Sequence, residues 1–244
     1  MLEQARAELA PTGVLRAGIN LSNFLLVTGK SASGDPEGVS PDMAKAVADR
    51  LGVPVQYVTF QTPGELADAA TEDLWDIGNI GAEPERAKTI SFTAAYCEIE
   101  ATYLVPAGSS IQSIDEVDRD GVRIAVYGRA AYGLWLADNI KHAELVNTDG
   151  MDASFDLFVK DKLDALAGLR PRLTKDVERL PGSRLLDGKF SAVQQAIGTK
   201  PERKAGAAFL RDFVEEAKAS GLVASLIEKH GVQGRLTVAP PADG

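Results

Sequence analysis

Residues 14–80 read as strand, helix, strand, helix, strand, and this alternation constrains the fold more than any other feature of the chain. Residues 14–19 are enriched in apolar side chains at a period of two. Ser40 as cap, Pro41 at the first helical position and Gly52 after Leu51 frame a helix, and residues 55–60 form a second strand. Thr62 and Glu65 have the spacing in which each side chain caps the other's amide, opening a helix through Ala70; residues 76–80 are a short buried strand. A helix between successive strands makes them parallel, so the class is α/β: a mostly parallel sheet covered on both faces, with binding sites at the carboxyl ends of its strands.

The pattern then restarts. An extended run over 99–105 meets Pro106 and Gly108, and Ser113 with Glu116 repeats the capping spacing. Strands over 122–126, 143–146 and 165–167 alternate with helices over 130–139, 154–160 and 174–179. Residues 193–199 are strand-like. Pro201 opens a long helix whose Phe209, Leu210, Phe213, Val214 and Ala217 share one face before Gly221, and residues 222–230 form a short helix closed by Gly231. Residues 239–244 have turn composition and are expected to be disordered.

Charge and residue counts exclude several functions. A net charge of −9 with no block of Lys and Arg gives nucleic-acid phosphates nothing to bind. No apolar run approaches the roughly 20 residues needed to cross a bilayer. Residues 1–10 form a polar stretch without the features of a signal peptide, which fits either a mature form with a new Met or a protein acting inside the cell. Two His and one Cys supply no chelating spacing, so no metal and no cofactor are expected. As a nucleophile Cys97 would need a base, and the sequence offers only His142 and His230, both in ordinary helical or loop context, so it reads as a structural thiol. Gly29, Lys30 and Ser31 do not make a phosphate loop, because Phe24 stands where its first glycine belongs.

The chemistry concentrates after the third strand. Gly81 and Ala82 leave it without bulk, Pro84 suits a helix start, and Arg86 falls in a first turn whose partial positive charge disfavours it. Unpaired amides and a guanidinium converging on a carboxylate would resolve that conflict. The alternative is an Arg86 neutralised by Glu83 and Glu85 on a wet surface.

Asp76, Glu85, Arg86, Phe92, Thr93 and Tyr96 together resemble the signature of the amino-acid-type (family 3) periplasmic solute-binding proteins of ABC importers. The resemblance extends to residues 13–19, to residues 37–44 and to residues 162–165. It implies a periplasmic-binding-protein-like (type II) fold. Lobe 1 would comprise residues 1–97 and 195–244, lobe 2 residues 98–194, joined by two hinge strands with the ligand cleft between them. It further implies a periplasmic, monomeric, non-catalytic protein that closes on a small solute and docks on an ABC permease. A cytoplasmic location applies if the chain is full length.

The same resemblance places ligand contacts at Arg86, Asn79, Gly81, Asn20 and Asn23 in the first lobe and at Gly128, Arg129, Ala130 and Arg170 in the second. For the asparagines the competing reading is a turn-forming role, and for Arg129 a side chain in solvent. Two departures matter. Arg129 and Ala130 stand where the family has hydroxyl residues, and Leu169 stands where amino-acid binders carry the Asp that pairs with the ligand ammonium. A buried ammonium without that partner is strongly disfavoured, so the expected ligand is a small organic carboxylate or amino-acid-like anion without a free α-ammonium. The alternatives are an enzyme resembling cyclohexadienyl dehydratases and the sensing domain of a receptor. The first needs a general acid, and residues 169–172 offer none.

Overall fold

The computed structural model describes residues 1–242 of the chain. They form two compact units: residues 1–98 with residue 194 onward, and Ile99–Val193. In chain order, unit 1 begins with helix α1 (Leu2–Leu9), strand β1 (Leu15–Asn20), a small antiparallel hairpin of β2 (Gly29–Lys30) and β3 (Pro36–Glu37), and helix α2 (Val39–Leu51). It continues through β4 (Val55–Phe60), α3 (Pro63–Asp68), β5 (Ile77–Ala82) and β6 (Ser91–Phe92). Strand β7 (Cys97–Val105) carries the chain into unit 2. There follow β8 (Arg123–Tyr127), α4 (Ala131–Asn139), β9 (Glu144–Thr148), α5 (Met151–Lys160), β10 (Ala165–Leu169), α6 (Arg170–Arg179) and β11 (Arg184–Leu185). Strand β12 (Ser191–Thr199) returns to unit 1, which ends with α7 (Lys204–Ala219), α8 (Leu222–Lys229) and β13 (Thr237–Val238).

In unit 1, β4, β1 and β5 run parallel, with β12 antiparallel on the far edge of β5 and β6 along β12. Unit 2 repeats the scheme with β9, β8 and β10 parallel, β7 antiparallel to β10, and β11 along β7. The alternation of β1 is visible in its packing: Leu15, Ala17 and Ile19 are all fully buried on one face. On the other face Gly18 pairs with Gly78, and a Cβ on either would press on the Trp75 ring at 3.1–3.3 Å. The two glycines thus form a slot for the indole, whose Nε1 donates to Leu66 O at 3.0 Å. Unit 2 has its own tryptophan, the half-buried Trp135, stacked on Phe190 at 5.6 Å.

Several boundaries differ from the sequence reading. Residues 1–10, read only as a polar stretch, include helix α1: its Leu9 and Ala5 are buried, Arg6 Nε donates to Leu51 O at 2.6 Å, and Glu8 accepts the Gly206 amide at 2.7 Å. Arg6 and Glu8 thereby cap the end of α2 and the start of α7. Helix α2 starts one residue before Ser40, with Gly38 at its cap. Thr62 does cap Glu65 N at 3.1 Å, but Glu65 reaches back to Gln61. Ser113 makes no such cap, and only a 3-10 turn, Ile114–Glu116, follows it. The long helix starts at Lys204, not Pro201, and Phe209 is only half-buried. Of the tail expected to be disordered, Ala239 N donates to Tyr96 O at 3.1 Å and Lys218 Nζ to Pro240 O at 2.9 Å, so residues 239–242 are in place. Residues 243–244 lie outside the described residues.

Candidate functional site

Strands β1 and β5 are parallel neighbours in register Ile19 to Asn79, so their carboxyl ends bring Asn20, Asn79 and Gly81 to one end of the unit 1 sheet. Beyond β5 the chain makes a 3-10 turn, Arg86–Lys88, instead of the helix expected from Pro84. The amides expected to receive an anion are taken: the Glu83 carboxylate accepts the Glu85 amide at 2.9 Å and the Arg86 amide as well, and Glu83 O accepts Ala87 N at 3.0 Å. Glu83 can fill this place because its side chain folds back as a cap, using the positive end of the turn that the sequence reading reserved for a ligand. Nor is Arg86 on a wet surface. It is 4% exposed, and one guanidinium nitrogen donates to Gly81 O at 2.8 Å.

The asparagines divide. Asn20 Oδ1 accepts from Ser22 N at 3.0 Å and Ser22 Oγ at 2.7 Å, and Asn23 Oδ1 accepts the amides of Leu25 and Leu26, both at 3.2 Å. Both make the turn contacts of the competing reading. Asn79 is 2% exposed; its Nδ2 donates to Gly18 O at 3.3 Å, while its Oδ1 has no hydrogen-bond partner among the described residues. Such an acceptor costs about 1–3 kcal/mol.

At the amino end of β5 the arrangement is closed. The fully buried Asp76 accepts from Arg16 N at 2.9 Å, Arg16 Nε at 3.1 Å and Arg16 Nη2 at 3.0 Å, and from Arg203 Nη1 at 2.9 Å. Its hydrogen bond raises the Arg16 pKa above the ordinary value. Asp76 is therefore a structural member of the signature, tying β1, β5 and the lead-in to α7.

In unit 2 the amides of Gly128 and Ala130 are committed to Thr148 O at 3.1 Å and Tyr127 O at 3.2 Å, which corrects the expectation that they await an anion. The tight strand-to-helix turn causes this by folding Ala130 back over Tyr127, and Gly128 has no room for a side chain: a Cβ would lie 2.6 Å from Asn147 Oδ1. Arg129 between them is exposed.

The sequence model of the bacterial extracellular solute-binding proteins, family 3, matches residues 20–233. The chain belongs to this family. No curated protein matches it by sequence. Among solved structures, this family 3 chain is similar to an ancestral amino acid-binding protein that is a precursor of cyclohexadienyl dehydratase (22% identity, TM-score 0.71, covering 91% of this chain and 97% of that one). It is also similar to ArgBP from T. maritima (21% identity, TM-score 0.71, 94% and 100%). A third is the substrate-binding protein of an amino acid ABC transporter from Streptococcus pneumoniae, bound to L-arginine (18% identity, TM-score 0.71, 91% and 96%). At these identities the likeness establishes the fold, a periplasmic-binding-protein-like α/β architecture.

The unit 2 departures of this family 3 protein are also visible. Leu169, 4% exposed, precedes α6. Arg170 turns to its own unit, with Nε on Glu100 at 2.7 Å and Nη2 on Gly188 O. Arg172, which the sequence reading gave no role, donates through Nε to both oxygens of the buried Asp176 at 3.1 Å and through Nη2 to Asp152 at 2.7 Å. A cavity of about 10 Å³ lies among Tyr132, Ser154, Arg172 and Asp176. That is room for one water, too small for a solute. Cys97 is fully buried, and burial pushes its thiol pKa well above the ordinary range, which favours the protonated form. Among the described residues no cluster of His, Cys, Asp and Glu could hold a metal ion, and no helix is long and apolar enough to cross a membrane.

Proposed function

We infer that this solute-binding protein takes up a small organic carboxylate, one without a free α-ammonium, between its two units and presents it to an ABC permease. The observation that carries the reading is the placement of Arg86. A guanidinium 4% exposed, oriented by Gly81 O beyond the carboxyl end of a sheet strand, is positioned to fork onto a carboxylate. Asn79 Oδ1, an acceptor without a partner among the described residues, suits a hydroxyl or other donor on the same ligand. Leu169 supports the exclusion of an α-ammonium, because a buried aliphatic side chain offers that cation nothing.

The committed side chains narrow the site. Arg86, Asn79 and Gly81 remain its centre. Asn20 and Asn23 shape the loop beside it, and Arg129 is the basic side chain that unit 2 contributes. Arg170, Gly128 and Ala130 act as supports for that unit's own turns. The protein acts as a monomer in the periplasm and closes by hinge motion at its two interunit passages. Catalysis is not part of the reading, since residues 169–172 carry no general acid.

A thermal-shift screen of keto acids, dicarboxylates and the twenty amino acids tests this. Ligand at 100 times its Kd stabilises the fold by about 2.7 kcal/mol. A carboxylate lacking the ammonium should raise Tm, and Arg86→Ala should abolish the shift. If only α-amino acids stabilise the protein, the ammonium argument is wrong; if Arg86→Ala binds as tightly as the unaltered chain, the anchor is wrong.

A further inference from the structure

The segment after α8 is fastened to unit 1 along its length. At its root, the Asp42 carboxylate of α2 meets Lys229 Nζ at 2.8 Å and His230 Nε2 at 2.7 Å. Val232 and Leu236 are then buried. Strand β13 lies antiparallel to the first residues of β7, Thr237 opposite Glu98 and Val238 opposite Cys97. Ala239 N donates to Tyr96 O at 3.1 Å and Thr237 Oγ1 to Glu98 O at 3.4 Å. Beyond it, Ala242 N donates to Glu215 Oε2 at 3.2 Å.

The residues covered in this way are the last of unit 1 before the chain passes into unit 2 at Ile99. Strand β7 runs unbroken through the passage, so the point at which it can flex depends on where its attachment to unit 1 stops. Tyr96 is held from a second side by Gln195 O at 2.8 Å, but Glu98 and Cys97 owe the pairing on this edge to β13. We propose that residues 233–239 are a strap that fixes the flexing point of the first interunit passage at Ile99. With the strap seated, Cys97 and Glu98 move with unit 1; with it lifted, they join the flexible stretch. The inference does not depend on which solute is bound.

Cys97, the chain's one cysteine, gives a direct handle. Because the bond from Ala239 N to Tyr96 O flanks the opposed residues 238 and 97, these are a non-hydrogen-bonded pair, for which a Cα separation of about 4.5 Å is usual, within disulfide range. Hydrogen exchange read by mass spectrometry on the full chain tests the strap. Ala239→Pro removes the donor to Tyr96 and should speed exchange of residues 97–99 by about tenfold, while β1 keeps its protection. The Val238→Cys variant, oxidised, should slow exchange at 97–99, and reduction should restore it. Acceleration confined to 231–242 in Ala239→Pro would overturn the proposal, as would failure of the Val238→Cys pair to crosslink. Should Ala239→Pro also expose β1, the crosslink decides: equal exchange at 97–99 in its oxidised and reduced forms would refute the strap.

Discussion

The two ends of β5 treat buried polarity in opposite ways. At the amino end, Asp76 is fully buried and is met by Arg16 and Arg203 with four hydrogen bonds. At the carboxyl end, Asn79 Oδ1 is buried without a hydrogen-bond partner among the described residues, and Arg86 is held by Gly81 O in a turn capped by Glu83. A buried charge matched by the protein holds a fold together; a buried acceptor left unmatched is a cost that stability alone does not explain. Both ends carry residues of one sequence signature, yet the first is a structural tie and the second is the end we propose for recognition.

The largest expected effect breaks the matched end. Asp76→Asn leaves two arginines facing a neutral amide, and urea denaturation should show a loss of roughly 3–5 kcal/mol, as for other broken buried pairs. Solute affinity measured well below the transition should barely change. At the other end, Arg86→Ala should weaken binding of the solute found by screening by about 100-fold, or ~2.7 kcal/mol by calorimetry, with a smaller change in stability. Comparable stability losses in the two variants would erase the distinction. Asn79→Leu sharpens it further. The variant removes the unpaired acceptor together with the long bond from Nδ2 to Gly18 O, two effects of opposite sign, so stability should stay within about 1 kcal/mol while affinity falls, whereas a larger loss of stability would make Asn79 an ordinary structural residue.

The smallest effect concerns Asp42. Burial pushes its carboxyl pKa up, but hydrogen bonds from Lys229 and His230 outweigh this and hold it below the ordinary value. A depressed folded pKa stabilises the protein above the unfolded carboxyl pKa, and the contribution disappears as pH falls through the folded value. Asp42→Asn should therefore cost about 1 kcal/mol or less at neutral pH. The gap to the unaltered chain should close below about pH 4, as followed by thermal melts. A gap that widens in acid would contradict the pairing.

The sheet and helix order was legible because Leu15, Ala17 and Ile19 follow a strict period of two and because Gly52 and Thr62 punctuate helices by local chemistry. The missed elements were those whose reasons are distant in sequence. Helix α1 depends on Leu51 and Gly206, and residues 239–242 on Tyr96, Glu215 and Lys218. At the candidate site, the motif put Arg86 just beyond the third strand, and the structure has it in the turn after β5. The capping by Glu83 could not be read from the motif, since Glu after a strand is ordinary and only the backfolded side chain reveals its use. Asn20 and Asn23 illustrate the converse, because an asparagine two or three residues from an unpaired amide serves its own turn as readily as a ligand.

Trp75, sealed between Gly18, Gly78 and Leu66, and Trp135, half open beside Phe190, are the chain's two indoles, one in each unit. Emission from the first should be blue-shifted and shielded from iodide, and emission from the second redder and quenchable. The protein thus carries a separate optical gauge for each half, and the order in which the halves melt can be followed in unlabelled material by watching which colour changes first.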